Sequence, residues 1–265
     1  CALQRAARRR LMLLGLAPGA GFGVRNLDDL DRYLGAVADA GFGAVSLNAD
    51  QLAGEPQRAA RLVERHGLCC TDVLALLVTR DDDATMAGAE ALRPAVDALG
   101  PSHVLTMMRT RPKPEALERL VRIAELLEVA LALEFAPGPV ATVADALAIA
   151  EELGPRHAGI LADTYHFFRA GSTWEMLETV PAAHLPIVQF DDALPAEDDD
   201  YMRETTERRA WPGEGELQLG RFAATLRERG WDGVVSVEVL SQPLRRLPVE
   251  VFARRAYETA APYWT

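Results

Sequence analysis

The chain reads Leu131-Ala132-Leu133-Glu134-Phe135-Ala136-Pro137 near its middle, an apolar run that carries one carboxylate at its end. Three later apolar runs have the same form and end in Asp163, Gln189 and Glu238. Near-continuous apolar runs of this length are typical of parallel strands that are buried on both faces. Polar residues at the C-terminal ends of successive parallel strands are the active-site pattern of a (β/α)8 barrel. The four runs therefore predict a barrel whose site is built from these four side chains.

The rest of the chain alternates between apolar runs and segments with helical spacing. Strands are predicted at residues 11–16, 44–47, 69–77, 103–108, 130–135, 158–162, 185–190 and 234–240. Helices are predicted at residues 27–40, 57–66, 84–99, 114–127, 143–153, 221–230 and 248–260. A doubly wound open sheet shares this alternation, but it does not direct ligands from four consecutive strands at one point. We therefore predict a single-domain (β/α)8 TIM barrel over residues 1–265, a length that suits a fold of about 250 residues.

Composition and charge limit the classes of function. With 49% hydrophobic and 25% charged residues, the chain can bury a full core. Its net charge of -11 repels nucleic acids and anionic membranes over most of the surface. We expect a small-molecule substrate, no nucleic-acid partner and no membrane partner. A homo-oligomer formed through helices on the barrel rim is compatible with the pattern.

The cysteines and the N-terminal region bear on the cellular location. Cys69 and Cys70 are adjacent, and Cys1 is at the chain end. Neighbouring cysteines rarely reach disulfide geometry, so we expect reduced thiols and a cytoplasmic protein. Arg8-Arg9-Arg10 precedes an apolar run, as in a secretory signal. The barrel needs that run as its first strand, and we favour the strand.

One connection, residues 191–219, is too long for an ordinary βα loop. Because it leaves the strand that ends in Gln189, it must lie over the C-terminal mouth of the barrel. It carries the acidic run Glu197-Asp198-Asp199-Asp200. A solvated face is the favoured interpretation of this run, and a lid or a partner contact is the alternative.

The motifs together resemble the xylose isomerase-like TIM-barrel superfamily, in the branch of sugar phosphate isomerases and epimerases. The resemblance rests on Glu134 beside Phe135, Asp163-Thr164-Tyr165-His166, Val188-Gln189-Phe190-Asp191-Asp192-Ala193, Pro212-Gly213-Glu214-Gly215-Glu216-Leu217 and Val237-Glu238-Val239. It implies that Glu134, Asp163, Gln189 and Glu238 bind one divalent metal ion and that His166 contacts the substrate. Many epimerases of this family have histidine where this chain has Gln189. Glutamine at this position is similar to the pattern of the 3-dehydroshikimate dehydratase branch. Dehydration therefore stays open as the alternative reaction.

The donor set supports a metal without the resemblance. Three carboxylates that converge in a barrel mouth repel one another and resist ionisation unless a cation neutralises them. An all-oxygen set of donors suits Mg2+ or Mn2+. Zn2+ or Co2+ is less expected, because zinc recruits histidine or cysteine.

These parts predict a metal-dependent isomerase or epimerase of a small sugar or polyhydroxylated carbonyl compound. The metal would polarise the carbonyl and stabilise the enediolate that forms when an α-proton is removed. Glu134 and Glu238 are the candidates for the base and the acid. His166 lies three residues beyond Asp163 and is the histidine placed to donate to the substrate or shuttle a proton. Return of the proton to the other face of the same carbon gives epimerisation, and return to the neighbouring carbon gives isomerisation. Loss of a β-hydroxyl instead gives dehydration.

Four more residues are candidate substrate ligands. Asn48 ends the second predicted strand and Arg109 follows the fourth. Arg209, with its neighbour Arg208, lies in the long connection and is suited to a carboxylate or an oxyanion. Trp211 is a candidate for an apolar wall, with core packing as the alternative.

Two other classes of protein compete with this interpretation. The superfamily includes an apurinic endonuclease branch, whose site collects three zinc ions through many histidines. The 5 histidines and the acidity of this chain argue against it. A non-catalytic sugar-binding barrel remains an alternative, because ligands can persist after activity is lost.

Overall fold

Eight parallel strands close into a barrel in the computed structural model of the chain, which describes residues 12–17 and 24–264. The strands in chain order are β1 (Leu13–Leu16), β2 (Ala44–Asn48), β3 (Cys69–Val78), β4 (His103–Met108), β5 (Ala130–Glu134), β6 (Ala158–Asp163), β7 (Ile187–Phe190), β8 (Asp192–Ala193), β9 (Arg209–Ala210) and β10 (Val234–Val237). Strands β8 and β9 pair with each other outside the barrel. The barrel closes where β10 pairs in parallel with β1.

Helices follow the strands and cover the outside of the barrel. The described helices are α1 (Leu27–Ala40), α2 (Pro56–Arg65), α3 (Asp82–Leu99), α4 (Pro114–Leu127), α5 (Val143–Leu153), α6 (Thr164–Arg169), α7 (Trp174–Thr179), α8 (Tyr201–Glu207), α9 (Leu219–Glu228) and α10 (Val249–Trp264). Short 3-10 turns lie at Ala49–Leu52, Ala182–His184 and Leu244–Arg246. The predicted (β/α)8 barrel is confirmed.

The predicted element bounds agree closely with the structure, and the differences have local causes. Helices α1, α4 and α5 have the predicted bounds. Strand β10 ends at Val237 instead of residue 240, because the chain turns there towards β9: the Leu240 carbonyl accepts from the Arg209 backbone N–H at 3.0 Å. The short helices α6, α7 and α8 were not predicted, since six or seven residues carry too little periodicity to be recognised.

Gly41 shows why glycine ends α1. Its φ of 107° lies in the left-handed region, where residues with a Cβ are strained. A Cβ at this position would also lie 3.0 Å from the ring of Tyr257. Glycine therefore both terminates α1 and lets α10 pack against it.

An apolar layer fills the inside of the barrel below the site. Its buried members are Leu13, Ala44, Leu105, Ala132, Leu161, Ile187 and Val234. Side chains in a strand repeat their direction every two residues. On β5, β6 and β7 the next inward position toward the C-terminal end is polar, as in Ala132 to Glu134, Leu161 to Asp163 and Ile187 to Gln189. The apolar layer thus closes the barrel from below and supports the polar site above it.

The structure also bears on the predictions about location. None of the helices in the described ranges is both long and apolar enough to cross a membrane. Cys70 is a buried free thiol, whereas Cys69 is disulfide-bonded, so the expectation of reduced thiols is wrong for Cys69. Adjacent side chains of a strand point to opposite faces, so Cys69 can be bridged while Cys70 is not. The arginines at positions 8–10 and Cys1 lie outside the described residues.

Candidate active site

The four predicted ligands lie together at the C-terminal edge of the barrel. Glu134 and Asp163 are the last residues of β5 and β6, Gln189 is the last but one of β7, and Glu238 directly follows β10. Asp163 and Gln189 are register partners on neighbouring strands. Their backbones are therefore one strand spacing apart, about 4.8 Å. All four side chains are buried, with at most 8% of each residue exposed.

His166 joins two of these carboxylates. Its Nε2 atom lies 3.6 Å from Glu134 Oε1 and 3.7 Å from Asp163 Oδ2. One donor atom from each of these three buried residues lies within 4.8 Å of the other two, close enough to share one metal ion. The histidine predicted as a substrate contact is thus also a candidate metal ligand.

The position of His166 follows from the way α6 begins. Asp163 is the residue before this helix, and its Oδ1 atom accepts from the His166 backbone N–H at 3.1 Å. A side-chain oxygen that caps the first turn in this way fixes the residue three positions later. One carboxylate therefore caps α6 with Oδ1 and turns Oδ2 toward the site.

Gln189 has an unusual environment for an amide. It is fully buried, and neither its Oε1 nor its Nε2 atom has a hydrogen-bond partner among the described residues. A buried polar group without a partner costs about 1–3 kcal/mol, so it is expected to meet a ligand. Its amide oxygen fits a divalent cation, and the donor set of this chain is compatible with one.

Arg209 reaches the same cluster from β9. The residue is 2% exposed, and its Nη1 donates to Asp163 Oδ2 at 2.7 Å and to Glu238 Oε2 at 3.3 Å. The same atom donates to Asp191 Oδ2 at 2.5 Å. Contacts through His166 and Arg209 thus connect Glu134, Asp163 and Glu238 into one buried cluster.

Two tyrosines complete the wall beside His166, and the sequence analysis missed the first. Tyr201, the first residue of α8, hydrogen-bonds through its hydroxyl to His166 Nδ1, and the two rings stack with centroids 5.9 Å apart. This bond occupies Nδ1 and leaves Nε2 to face the carboxylates. Tyr165 lies under the Arg209 guanidinium, 5.1 Å from ring centroid to Cζ. The long connection therefore supplies residues to the site.

The pKa values indicate that one guanidinium does not keep every carboxyl group of the cluster ionised. Burial acts to raise the pKa of Asp163, but the charges of Arg209 and His166 outweigh it and hold that pKa below its usual value. Burial raises the pKa of Glu238 to about 8 and that of Asp191 well above its usual range, although Arg209 opposes both shifts. The cluster therefore holds more buried carboxyl groups than Arg209 can keep ionised.

A further buried carboxylate, that of Asp72, lies inside the barrel on β3. Its Oδ1 atom accepts from Ser46 Oγ at 2.6 Å and from Thr71 Oγ1 at 2.7 Å, and Ser46 lies 3.1 Å from Ser236 on β10. Asp72 is fully buried, and its Oδ2 atom has no partner among the residues that the structure describes. The sequence signal for Asp72, which the sequence analysis missed, is an ionisable residue within the apolar run of residues 69–77.

Replacing Asp72 by Asn is expected to remove a pH-dependent cost to stability. Burial raises the pKa of Asp72 to about 6, against 3.8 in the unfolded chain, so the folded protein binds this proton more tightly. As the pH rises from about 4 to above 6, the free energy of unfolding of the native protein should therefore fall by about 3 kcal/mol relative to that of Asp72→Asn. Urea unfolding in EDTA at several pH values measures this difference. Asp232→Asn, an exposed change of the same charge, is the control, and parallel curves for Asp72→Asn and the native protein would contradict the prediction.

The other predicted substrate residues differ in their access to the site. Asn48 ends β2 half-buried, and Arg109 is exposed after β4. Arg208 is committed to the long connection, where it pairs with Glu197 at 2.5 Å and Glu204 at 3.0 Å. Trp211 packs in the core against Phe252 of α10, with ring centroids 4.7 Å apart.

The acidic run of the long connection is partly neutralised within the connection itself. Arg203 donates to Glu197 at 2.8 Å and pairs with Asp198 at 3.1 Å. All four residues of the run are exposed, which agrees with the expected solvated face, and these ion pairs hold residues 197–208 together. Arg209 is thus the arginine of the connection that enters the site.

The family described as xylose isomerase-like TIM barrel matches residues 34–259. The chain is 34% identical over 146 residues to an inosose isomerase of Halalkalibacterium halodurans and 32% identical over 148 residues to one of Bacillus subtilis strain 168. These matches cover 54% and 55% of this chain and 51% and 52% of the relatives. The chain therefore spans about half the length of the curated relatives it matches.

Solved structures share the fold over almost the whole chain. The IOLI protein, crystallised with a bound zinc atom, superposes with a TM-score of 0.81 at 24% identity, over 95% of this chain and 98% of that one. A D-allulose 3-epimerase from Methylomonas sp., in complex with D-allulose, superposes with a TM-score of 0.75 at 18% identity, over 96% and 98%. At these identities the likeness shows the fold alone.

Proposed function

Because the chain belongs to the xylose isomerase-like TIM-barrel family, we propose that it is a divalent-metal-dependent isomerase or epimerase of a small polyhydroxylated carbonyl compound. The observation that carries the proposal is the buried group of Glu134, Asp163 and His166, whose donor atoms lie within 4.8 Å of one another at the mouth of the barrel. The relatives named inosose isomerases support a cyclic ketose with several hydroxyls as the first candidate substrate.

The charges and donors of the site support the metal. Three buried carboxylates, those of Asp163, Asp191 and Glu238, surround a single guanidinium, and a fourth, that of Glu134, lies beside His166. Glu134, Asp163, Gln189 and Glu238 would hold the ion, with His166 as a further donor. Bound there, it would supply positive charge that polarises the substrate carbonyl and stabilises negative charge on its oxygen. The oxygen donors favour Mg2+ or Mn2+, while His166 and the zinc-containing neighbour keep Zn2+ and Co2+ as candidates.

The side chains of this chain divide the remaining work. Glu134 and Glu238 would remove the α-proton and return it, since carboxylates held at the reacting carbon are effective bases and acids. His166, held by Tyr201, directs Nε2 to the site and would donate to a substrate oxygen. Arg209 would orient an anionic or hydroxyl-bearing end of the substrate.

A screen for proton exchange tests the proposal. The protein is incubated in deuterated water with an inosose, D-allulose or 3-dehydroshikimate and with Mg2+, Mn2+, Co2+ or Zn2+, and the reaction is followed by NMR. We expect metal-dependent deuterium incorporation at the α-carbon and formation of an epimer or isomer. Water loss from 3-dehydroshikimate would identify the protein as a dehydratase, the alternative that Gln189 suggests. Metal binding without exchange or turnover of any of these compounds would contradict the proposal and favour a non-catalytic sugar-binding barrel.

A further inference from the structure

Arg209 places its positive charge among three buried carboxylates. Its Nη1 atom is shared by Asp163 Oδ2, Asp191 Oδ2 and Glu238 Oε2, at 2.7, 2.5 and 3.3 Å. The rest of the guanidinium is anchored on Thr205, because Nε donates to its carbonyl at 2.9 Å and Nη2 to its hydroxyl at 3.1 Å. The positive charge is therefore held among two of the proposed metal ligands.

One oxygen of the Asp191 carboxylate is buried and unused. The residue is fully buried, and Oδ1 has no hydrogen-bond partner within the described ranges, whereas Oδ2 accepts from Arg209. Its backbone is fixed on both sides by Thr164, whose hydroxyl donates to the Asp191 carbonyl at 2.8 Å and accepts from the Asp191 N–H at 3.0 Å. Asp191 can therefore keep the guanidinium if the other carboxylates release it, because carboxylates accept arginine in a two-bond arrangement.

We propose that Arg209 is an internal cation that competes with the divalent ion for Asp163 and Glu238, and that Asp191 is the acceptor that retains Arg209 when the ion is bound. The inference rests on the proposed function, since it requires a metal at these ligands. Two cations that draw on the same carboxylate oxygens in a buried site repel each other strongly. Metal affinity is therefore set partly by how well Asp191 holds the guanidinium away from the ligands. Asp191 is in this sense a positioning residue, which acts through Arg209.

Competition predicts opposite effects for two substitutions, measured by calorimetric titration of the metal-free protein with Mn2+ in the absence of substrate. Arg209→Met removes the competitor and is expected to tighten Mn2+ binding about tenfold, a typical size for residues that surround a metal site. Asp191→Asn weakens the alternative acceptor and is expected to loosen Mn2+ binding about tenfold. Arg208→Gln and Asp198→Asn carry the same charge changes within the ion pairs of the long connection and should stay within about twofold of the native protein.

The double variant separates competition from a general effect of charge. If Asp191 acts through Arg209, then Asp191→Asn has little effect on Mn2+ affinity once Arg209 is methionine. A direct field of Asp191 on the ion would instead lower the affinity by the same factor in both backgrounds. Equal factors in the two backgrounds would overturn the role of Asp191.

Thermal unfolding gives a readout that needs no activity. In EDTA, Arg209→Met is expected to melt at a lower temperature than the native protein, because the carboxylates lose their cation, and Mn2+ should raise its melting temperature more than that of the native protein. If Arg209→Met does not fold, Asp191→Asn carries the test, and unchanged or tighter Mn2+ binding overturns the proposal. Mn2+ binding that Arg209→Met leaves unchanged or weakens overturns the competition alone. An absence of Mn2+ binding in every variant overturns the metal requirement of the proposed function together with it.

Discussion

Replacing Glu134 or Glu238 by glutamine is expected to lower turnover by at least about a hundredfold while leaving the fold intact, since glutamine keeps the shape and an oxygen donor but cannot exchange a proton at neutral pH. Both residues lie in the buried mouth of the barrel, within the cluster that His166 and Arg209 connect. The measurement is kcat with the substrate that the NMR screen identifies, at Mn2+ concentrations that saturate each variant. A loss that persists at saturating metal belongs to proton transfer, whereas a loss that added metal repairs belongs to ligation.

The two variants should differ in their partial reactions. A variant that lacks the base loses deuterium incorporation as well as product, whereas a variant that lacks only the returning acid still exchanges the α-proton and forms no product. Glu118→Gln, an exposed change on α4, is the matched control and should leave kcat unchanged. Full activity in Glu134→Gln or in Glu238→Gln would remove that residue from acid or base chemistry.

Removal of the metal is expected to abolish turnover to a similar extent, about a hundredfold or more, because the substrate carbonyl then loses its main electrostatic stabilisation. Dialysis against EDTA followed by removal of the chelator gives the metal-free protein, and addition of Mg2+, Mn2+, Co2+ or Zn2+ identifies the ion that restores kcat. The effective ion should also raise the melting temperature, since a ligand that binds only the folded protein stabilises it. Full activity of the metal-free protein would contradict the metal requirement.

Gln189→Met is the variant that links this result to the site. The Gln189 side-chain amide has no hydrogen-bond partner among the described residues. Methionine, which is of similar size, therefore removes the oxygen donor with little cost to the stability of the fold. The variant should bind the activating ion about tenfold more weakly and gain less in melting temperature. Unchanged metal affinity would exclude Gln189 from the ligands.

The barrel could be predicted because its signals are local. Near-continuous apolar runs such as residues 130–134 and 158–163 are long enough to be recognised as buried parallel strands, and amphipathic spacing marked helices such as α1 and α4. The positions of Glu134 and Asp163 at strand ends then followed from topology, since every parallel strand of a barrel ends at the same edge.

His166 was also predictable as a site residue. The spacing of Asp163 and His166 places the histidine in the first turn of a helix that the aspartate caps. Its contacts with Glu134 and with Tyr201 were not predictable, because they join elements that are distant in the sequence.

What the sequence alone determined is the closed barrel and the set of polar side chains at the ends of strands β5, β6, β7 and β10. Only the tertiary structure decided that Arg209, and not its neighbour Arg208, enters the site, and that Asp191 and Tyr201 lie beside it. The physical reason is that side chains in a strand repeat their direction every two residues and that all strands of the barrel run in the same direction. These two regularities decide which side chains meet at the strand ends. The path of the long connection has no such repeat, and it depends on contacts formed only after the barrel has closed.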